Sequence, residues 1–168
     1  MNLLISRAHR NEVSLAAFRP SRVRRFIHEK TDREWDPSKL AELEKNRAQA
    51  DLFFDQETIA NQFEVVKKLP YKFSYKIEDA KGKSSTMMIE DWELGALYWN
   101  CLRSTSGDET KALAKVKQRY WDDFVVSGNT ELTLILGTTL TFHQMKTPNP
   151  FIIVGILYPK FDPQASLF

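Results

Sequence analysis

The chain has 168 residues, of which 42% are hydrophobic, 12% aromatic and 27% charged, and its net charge is +2. These values are typical of one folded domain and exclude a disordered or collagen-like chain. No apolar run approaches the roughly 18–20 residues that cross a bilayer, so we expect a cytoplasmic protein with no membrane partner. The single cysteine, Cys101, excludes an internal disulfide framework and a cysteine-based zinc site.

The small net charge conceals an uneven distribution along the chain. The first thirty residues contain seven basic and two acidic side chains, whereas residues 31–68 contain six basic and nine acidic ones. We therefore predict a basic N-terminal arm over residues 1–30, a single α+β domain over residues 31–160 and a flexible C-terminal tail over residues 161–168. Two prolines, Pro159 and Pro163, disfavour regular structure around the start of that tail.

The first half of the chain has the apolar spacing of helices. This spacing predicts a short basic helix over residues 21–29 and a second helix over residues 36–54, which begins with the start signal Asp36-Pro37. A further short helix is predicted over residues 55–62.

The second half alternates between strand and helix patterns. Apolar and polar residues alternate over residues 71–78, and a turn at residues 79–82 leads into a partner strand over residues 84–89. Asp91 and Asp108 cap two predicted helices, of which the first, including Trp92, is apolar enough to lie at the centre of a core. Two strands follow, over residues 132–136 and 151–157.

Together these elements predict an α+β fold. The antiparallel sheet consists of the hairpin and the two C-terminal strands, it packs against helices, and a helical segment precedes it at the N-terminus.

The pentapeptide QASLF in the C-terminal tail resembles the peptide by which bacterial replication and repair proteins bind the sliding clamp. Gln164, Ser166, Leu167 and Phe168 match that pattern, whereas Ala165 stands where leucine is usual. The resemblance implies that Leu167 and Phe168 enter an apolar pocket of the clamp, while Gln164 forms hydrogen bonds at a smaller subsite. The alternative is that Leu167 and Phe168 fold back onto the protein's own domain.

Four arginines of the basic arm are candidate DNA ligands. A helix would place Arg19, Arg22 and Arg25 on one face at a spacing of three, with Arg24 beside them, which suits contacts with phosphates. Phe18 and Phe26 would stack on bases if the ligand were single-stranded. The alternative is that the arginines form a solvated surface or pair with the acidic residues between positions 31 and 68.

The sequence offers only weak candidates for catalysis. Asp91 and Glu93 lie at a strand-to-helix junction, where carboxylates can hold a divalent metal for phosphodiester cleavage, but the same residues suit a helix cap. His143 follows a run of threonines, with no recognisable partner for general-base chemistry. We therefore expect no resident cofactor or metal unless the chain is a nuclease.

Three functions are consistent with these features. The preferred one is a DNA replication or repair accessory protein that is tethered to the sliding clamp and contacts DNA through its basic arm. The second is a metal-dependent nuclease that uses Asp91 and Glu93. The third is a non-enzymatic interaction or host-takeover protein that binds the clamp without binding DNA.

Overall fold

The computed structural model describes residues 1–32, 34, 37–38, 41, 68–139, 142, 145 and 147–160. The chain divides into two units, one comprising Met1–His28 with Phe73–Phe168 and the other Glu29–Lys72. In the smaller unit, the backbone N–H of Thr31 donates to the carbonyl of Pro70 at 2.9 Å. The helices predicted over residues 36–54 and 55–62 lie almost wholly outside the described residues.

The α+β class predicted from the sequence is confirmed. None of the described helices combines the length and apolar character needed to span a membrane. In chain order the elements are α1 (Asn2–His9), β1 (Leu15–Phe18), β2 (Arg22–Lys30), β3 (Tyr71–Glu78), β4 (Ser84–Met88), α2 (Trp92–Ser104), α3 (Glu109–Lys117), a π-helical segment (Gln118–Val126), β5 (Thr133–Thr138) and β6 (Phe151–Leu157).

The strands of the described residues form two three-stranded antiparallel sheets, ordered β1-β5-β6 and β2-β3-β4. The predicted hairpin is the β3–β4 pair, and the two predicted C-terminal strands are the β5–β6 pair. Each pair gains its third strand from the first thirty residues. The predicted arm therefore supplies a strand to both sheets.

The prediction of a helix over residues 21–29 is wrong, because β2 occupies this segment. The half-buried Val23, Phe26 and Ile27 have a spacing that imitates one face of a helix. A strand becomes stable only when its backbone pairs with another strand, and here that partner is β3, more than forty residues away in the sequence. Local spacing carries no signal for such a distant pairing.

The two sheets meet at both of their borders. A parallel bridge joins Ile89, just after β4, to Ile153 of β6, and the N–H of Glu90 donates to the carbonyl of Ile153 at 2.7 Å. At the other border, three residues, 19–21, connect β1 in one sheet to β2 in the other, and the N–H of Ser21 donates to the carbonyl of Glu78 at 2.9 Å. The chain therefore joins the two sheets at one border and a bridge joins them at the other.

Each sheet has one end at this three-residue connection. In the first sheet the C-terminal ends of β1 and β6 flank the N-terminal end of β5, and in the second the N-terminal ends of β2 and β4 flank the C-terminal end of β3. We call this the connection end of each sheet. The chain also leaves β6 here, where Lys160 forms an isolated bridge with Thr130.

Aromatic side chains form the centre of the core. The ring of Phe26 stacks on that of Phe73 with their centroids 5.7 Å apart, and its centroid is 5.6 Å from Tyr75 and 6.2 Å from Tyr120. The buried hydroxyl of Tyr75 donates to the backbone carbonyl of Tyr120, in the π-helical segment. Burial raises the pKa of Tyr75, so this hydroxyl keeps its proton and remains a donor over the whole working range of pH.

The helix α2 begins as predicted. The carboxylate of Asp91 accepts the backbone N–H of Glu93 at 3.0 Å, which caps the helix. Leu94 and Tyr98 are fully buried on one face, but the prediction that Trp92 lies in the core is wrong, because 72% of its surface is exposed. The apolar residues of α2 thus extend beyond the face that the core covers.

The helix α3 also begins as predicted, with the carboxylate of Asp108 accepting the backbone N–H of Lys111 at 3.0 Å. The predicted single helix continues past Lys117 as the π-helical segment, which buries Tyr120 and Phe124. The guanidinium of Arg119 lies over the Phe124 ring at 4.8 Å from its centroid. This cation–π contact covers the outer side of the aromatic core.

The close packing between β5 and β6 allows a test by substitution. A Cβ atom at Gly137 would lie 2.9 Å from Cγ1 of Val154, the extra residue at the irregularity in β6. We expect Gly137→Ala to lower the free energy of unfolding by about 1–3 kcal/mol, as overpacking does. The double variant Gly137→Ala/Val154→Ala recovers part of this loss because the clash is gone.

Urea unfolding measures the four free energies of this double-mutant cycle. Gly155→Ala is the matched control, because its added Cβ would meet Ile135 at an ordinary contact distance of 3.6 Å. Strictly additive losses at Gly137 and Val154 would contradict the proposed clash.

Replacing Asp91 separates its two effects on stability. Asp91→Ala removes the acceptor for the Glu93 N–H, so we expect a loss of about 1 kcal/mol in the free energy of unfolding. Asp91→Asn keeps a capping oxygen and removes the charge. Because burial raises the pKa of Asp91 above its ordinary value, the contribution of Asp91 to stability is lost as the pH rises through that raised pKa.

The expected result is therefore a gain in the stability of Asp91→Asn relative to the wild type as the pH rises from about 4 to about 7. Urea titrations of both proteins at each pH measure this difference, in which the contributions of the other carboxylates cancel. A difference that stays constant, or falls, with pH would show that the buried charge of Asp91 does not oppose folding.

Candidate nucleic-acid interface

The outer face of the β2-β3-β4 sheet carries the candidate site. Along β3, the buried Phe73, Tyr75 and Ile77 point inward, and the intervening Lys76 and Glu78 belong to the opposite face. The antiparallel register sets Lys76 opposite Thr86 and Glu78 opposite Ser84. The alternation that fills the core therefore also brings polar and charged groups together outside.

These residues line a shallow groove of about 370 Å³ near the connection end of the β2-β3-β4 sheet. The Arg24 guanidinium forms an ion pair with the Glu78 carboxylate, and both side chains are partly exposed. Arg25 and Lys76 form no hydrogen bond or ion pair with another described residue. Among the described residues, the groove lining consists of Arg24, Arg25, Lys76, Glu78, Gly82 and Ser84, which is three cations against one carboxylate.

The turn between β3 and β4 fixes one wall of this groove. The buried carboxylate of Asp79 accepts the backbone N–H groups of Lys81 and Lys83, each at 3.0 Å. The hydrogen bond from Lys83, supported by that from Lys81, lowers the pKa of Asp79, so the carboxylate remains ionised and the turn is held over a wide pH range. Gly82 has φ +75°, a backbone conformation that favours glycine at this position of a hairpin.

The structure brings together two of the four arginines proposed as DNA ligands. Arg24 and Arg25 line the groove, and Arg22 is exposed at the start of β2. Arg19 is engaged elsewhere, with its Nε donating to the hydroxyl of Thr133 at 3.2 Å and its Nη1 lying 3.4 Å from the Glu131 carboxylate. Because β2 is a strand, the spacing of three no longer places Arg19, Arg22 and Arg25 on a common helical face.

Ion pairs connect two arginines of the cluster to acids of neighbouring strands and loops. The described partner of Arg24 is Glu78, and that of Arg19 is Glu131. Most of the acidic stretch over residues 31–68 lies outside the described residues, so pairing of the arginines with that stretch stays a prediction.

The aromatic residues proposed to stack on bases do not face the groove. Phe26 packs into the core cluster with Phe73. Phe18 is half-buried and lies opposite Leu134, a fully buried residue of β5. Among the residues that the structure describes, none that lines the groove is aromatic.

The carboxylates proposed for metal-dependent catalysis have a structural role here. Asp91 caps α2 through the N–H of Glu93, and burial raises its pKa. Glu93 is exposed in the first helical turn, where a negative charge complements the helix dipole. In the ranges that the structure describes, no three His, Cys, Asp or Glu side chains are grouped so that they could hold a metal ion.

Other predicted site residues fall outside the part of the chain that the structure describes. His143 is one of them. The pentapeptide that the sequence predicts to bind the clamp, with Gln164, Ser166, Leu167 and Phe168, is the other. Their proposed roles stay predictions from the sequence.

Sequence reasoning did not assign Lys76 and Ser84 to a nucleic-acid surface. The available signal was the polar side of the alternating β3 pattern, in which a lysine and a glutamate follow each other at a spacing of two. This polar side becomes part of a basic surface only because β3 pairs with the arginine-rich β2. The sequence does not indicate that pairing, since the two strands lie more than forty residues apart. The structure therefore adds two residues to the candidate surface.

No curated protein and no solved structure matches the chain. One family model, described as "Domain of unknown function (DUF8757)", matches residues 1–168, and the chain belongs to this family.

Proposed function

We propose that this protein is a DNA replication or repair accessory protein of a bacterium, phage or mobile element. It contacts DNA through the basic surface of β2 and is tethered to the sliding clamp by Gln164, Ser166, Leu167 and Phe168. The observation that carries the DNA contact is the pair of exposed cations in the groove, Arg25 and Lys76, which have no described carboxylate partner. The clamp tether rests on the pentapeptide QASLF.

Electrostatics supports DNA as the ligand of this surface. Phosphate contacts supply most of the affinity of sequence-independent DNA binding, and they require exposed arginines and lysines. The +2 net charge of the chain is too small to attract DNA over the whole surface, so a local excess of cations has to do so. The groove is such a local excess.

Topology supports a combination of the two contacts. The chain leaves β6 at the connection end, where the N–H of Glu131 donates to the carbonyl of Pro159 at 3.0 Å. Glu131 also pairs with Arg19, which lies in the short connection leading into β2. The segment that leads to the pentapeptide therefore begins beside the connection into β2, the strand that carries the proposed DNA ligands, which keeps a tether short.

Substitution of the two apolar residues of the pentapeptide tests the clamp tether. We expect Leu167→Ala/Phe168→Ala to weaken binding of the full chain to a purified bacterial sliding clamp at least about thirtyfold, because both side chains are the anchors of the peptide. Asp162→Ala/Pro163→Ala, immediately before the pentapeptide, is the matched control and keeps the affinity. Calorimetric titration gives the dissociation constants.

Two outcomes would contradict this tether. One is equal clamp affinity for the wild type and the Leu167→Ala/Phe168→Ala variant. The other is the absence of clamp binding by the wild-type chain. Clamp binding that persists in a chain with no DNA affinity would instead favour the interaction or host-takeover protein.

Charge reversal on β2 tests the DNA contact. We expect Arg22→Glu/Arg25→Glu to weaken DNA binding at least about tenfold and to lower the slope of log affinity against log salt by about 2, since two phosphate contacts are lost. Neither arginine has a described ion-pair partner, so the fold should tolerate the change. Fluorescence anisotropy with labelled DNA at several salt concentrations measures both quantities.

The matched control is Lys111→Glu/Lys117→Glu on α3, which changes the net charge by the same amount at two other exposed positions. An equal loss of affinity in this control would mean that net charge, and not the β2 surface, determines DNA binding. Unchanged binding by the β2 variant would remove the proposed contact.

A further inference from the structure

The side chains that line the groove on the β2-β3-β4 sheet indicate which form of DNA, and which part of it, the groove binds. We propose that it binds the phosphate backbone of duplex DNA, with Arg25, Lys76 and Ser84 as the phosphate ligands and Glu78 as an internal competitor for Arg24. This inference rests on the proposed function and assigns two residues, Lys76 and Ser84, that lie outside the basic N-terminal segment.

The donors in the groove suit a phosphodiester. Each phosphodiester presents two charged oxygens, which the fork of an arginine binds in pairs and a lysine binds as a point charge. Arg25 and Lys76 supply these two kinds of cation on adjacent strands. The Ser84 hydroxyl, which forms no hydrogen bond with another described residue, supplies a neutral donor beside them.

The described lining residues, which include no aromatic side chain, favour duplex over single-stranded DNA. Proteins that bind single strands without sequence preference stack the bases on aromatic side chains, whereas a duplex can be held through its phosphates alone. Phe26, the aromatic residue of β2, packs its ring against Phe73 and Tyr75 in the core. The described part of the groove therefore offers charge and hydrogen bonds to a backbone, but no surface for a base.

Glu78 has a distinct role in this site. Its carboxylate forms the ion pair with Arg24, and one of its oxygens lies 3.8 Å from the position that a Cβ atom would take at Gly82. A phosphate that enters the groove meets this negative charge and competes with it for the guanidinium of Arg24. Glu78 thus lowers the affinity for phosphate, and its neutralisation should raise that affinity.

The opposite signs of these contributions make the test specific. In the full chain, we expect Arg25→Ala and Lys76→Ala each to weaken binding of a labelled duplex of about twenty base pairs and to lower its salt slope by about 0.9. We expect Glu78→Gln to tighten duplex binding about two- to fivefold, the equivalent of one exposed ion pair. A variant that merely loses structure cannot show a gain.

A second arm uses one strand of the same duplex as the competitor. We expect the wild type to prefer the duplex, and the three groove variants to change duplex affinity far more than single-strand affinity. Lys111→Ala on α3 is the control and leaves both affinities unchanged. Urea unfolding of each variant confirms that the fold is retained.

The outcomes separate this inference from the proposed function. If the wild type binds DNA but neither Lys76→Ala nor Glu78→Gln alters the affinity, the groove is not the site, while DNA binding by the protein stands. A preference for the single strand would likewise overturn the inference alone. If the wild type binds neither form of DNA, both the groove assignment and the proposed DNA contact fail, and the clamp tether is judged by its own titration.

Discussion

The three-residue connection between β1 and β2 is the constraint on which the rest of the fold depends. Three extended residues span only about 10 Å, yet the strands they join belong to different sheets. On the opposite border, the bridge between Ile89 and Ile153 joins the same two sheets again. The two sheets are therefore joined at both borders, by the chain connection between β1 and β2 and by the bridge between Ile89 and Ile153.

Core packing determines what each face of the β2-β3-β4 sheet can carry. Its inner face contributes Phe26, Phe73 and Tyr75 to the aromatic cluster with Tyr120 of the π-helical segment, where the Tyr75 hydroxyl donates to a backbone carbonyl. A charged side chain in that interior would be left without water or a partner, at a cost of several kcal/mol. The cations of β2 and β3 are consequently confined to the outer face, where two strands place them side by side.

The sequence predicts those elements whose signal is local. The alternation over β3 and the capping carboxylates of Asp91 and Asp108 depend on neighbouring residues, and the structure has them where the pattern predicts. β2 is different because its alternation is broken. Arg24 and Arg25 are both exposed and Phe26 and Ile27 are both half-buried, so no period of two is visible and a helical spacing appears instead.

Only the arginines of the candidate site could be predicted, again because only local features are visible in the sequence. Charge clustering identified the arginines, since it is a property of the linear sequence. Their neighbours Lys76 and Ser84 join them only through strand pairing across more than forty residues. Trp92 was predicted to be buried and is exposed, because the apolar residues of α2 extend beyond the face of the helix that the core covers. The sequence pattern does not indicate how wide that covered face is.

A groove with two or three phosphate ligands is a weak DNA site by itself, and this weakness is consistent with the proposed tether. Each contact is exposed and screened by salt, and Glu78 already occupies one of the three guanidinium and ammonium groups. A tether lowers the DNA affinity that the groove needs. For a protein already bound to the clamp, the effective concentration of the nearby DNA is in the millimolar range. The hydrogen bond between Pro159 and Glu131, the partner of Arg19 in the connection into β2, favours such coupling. Under the proposed function, clamp binding therefore strengthens a weak, sequence-independent DNA contact and favours DNA that already carries the clamp.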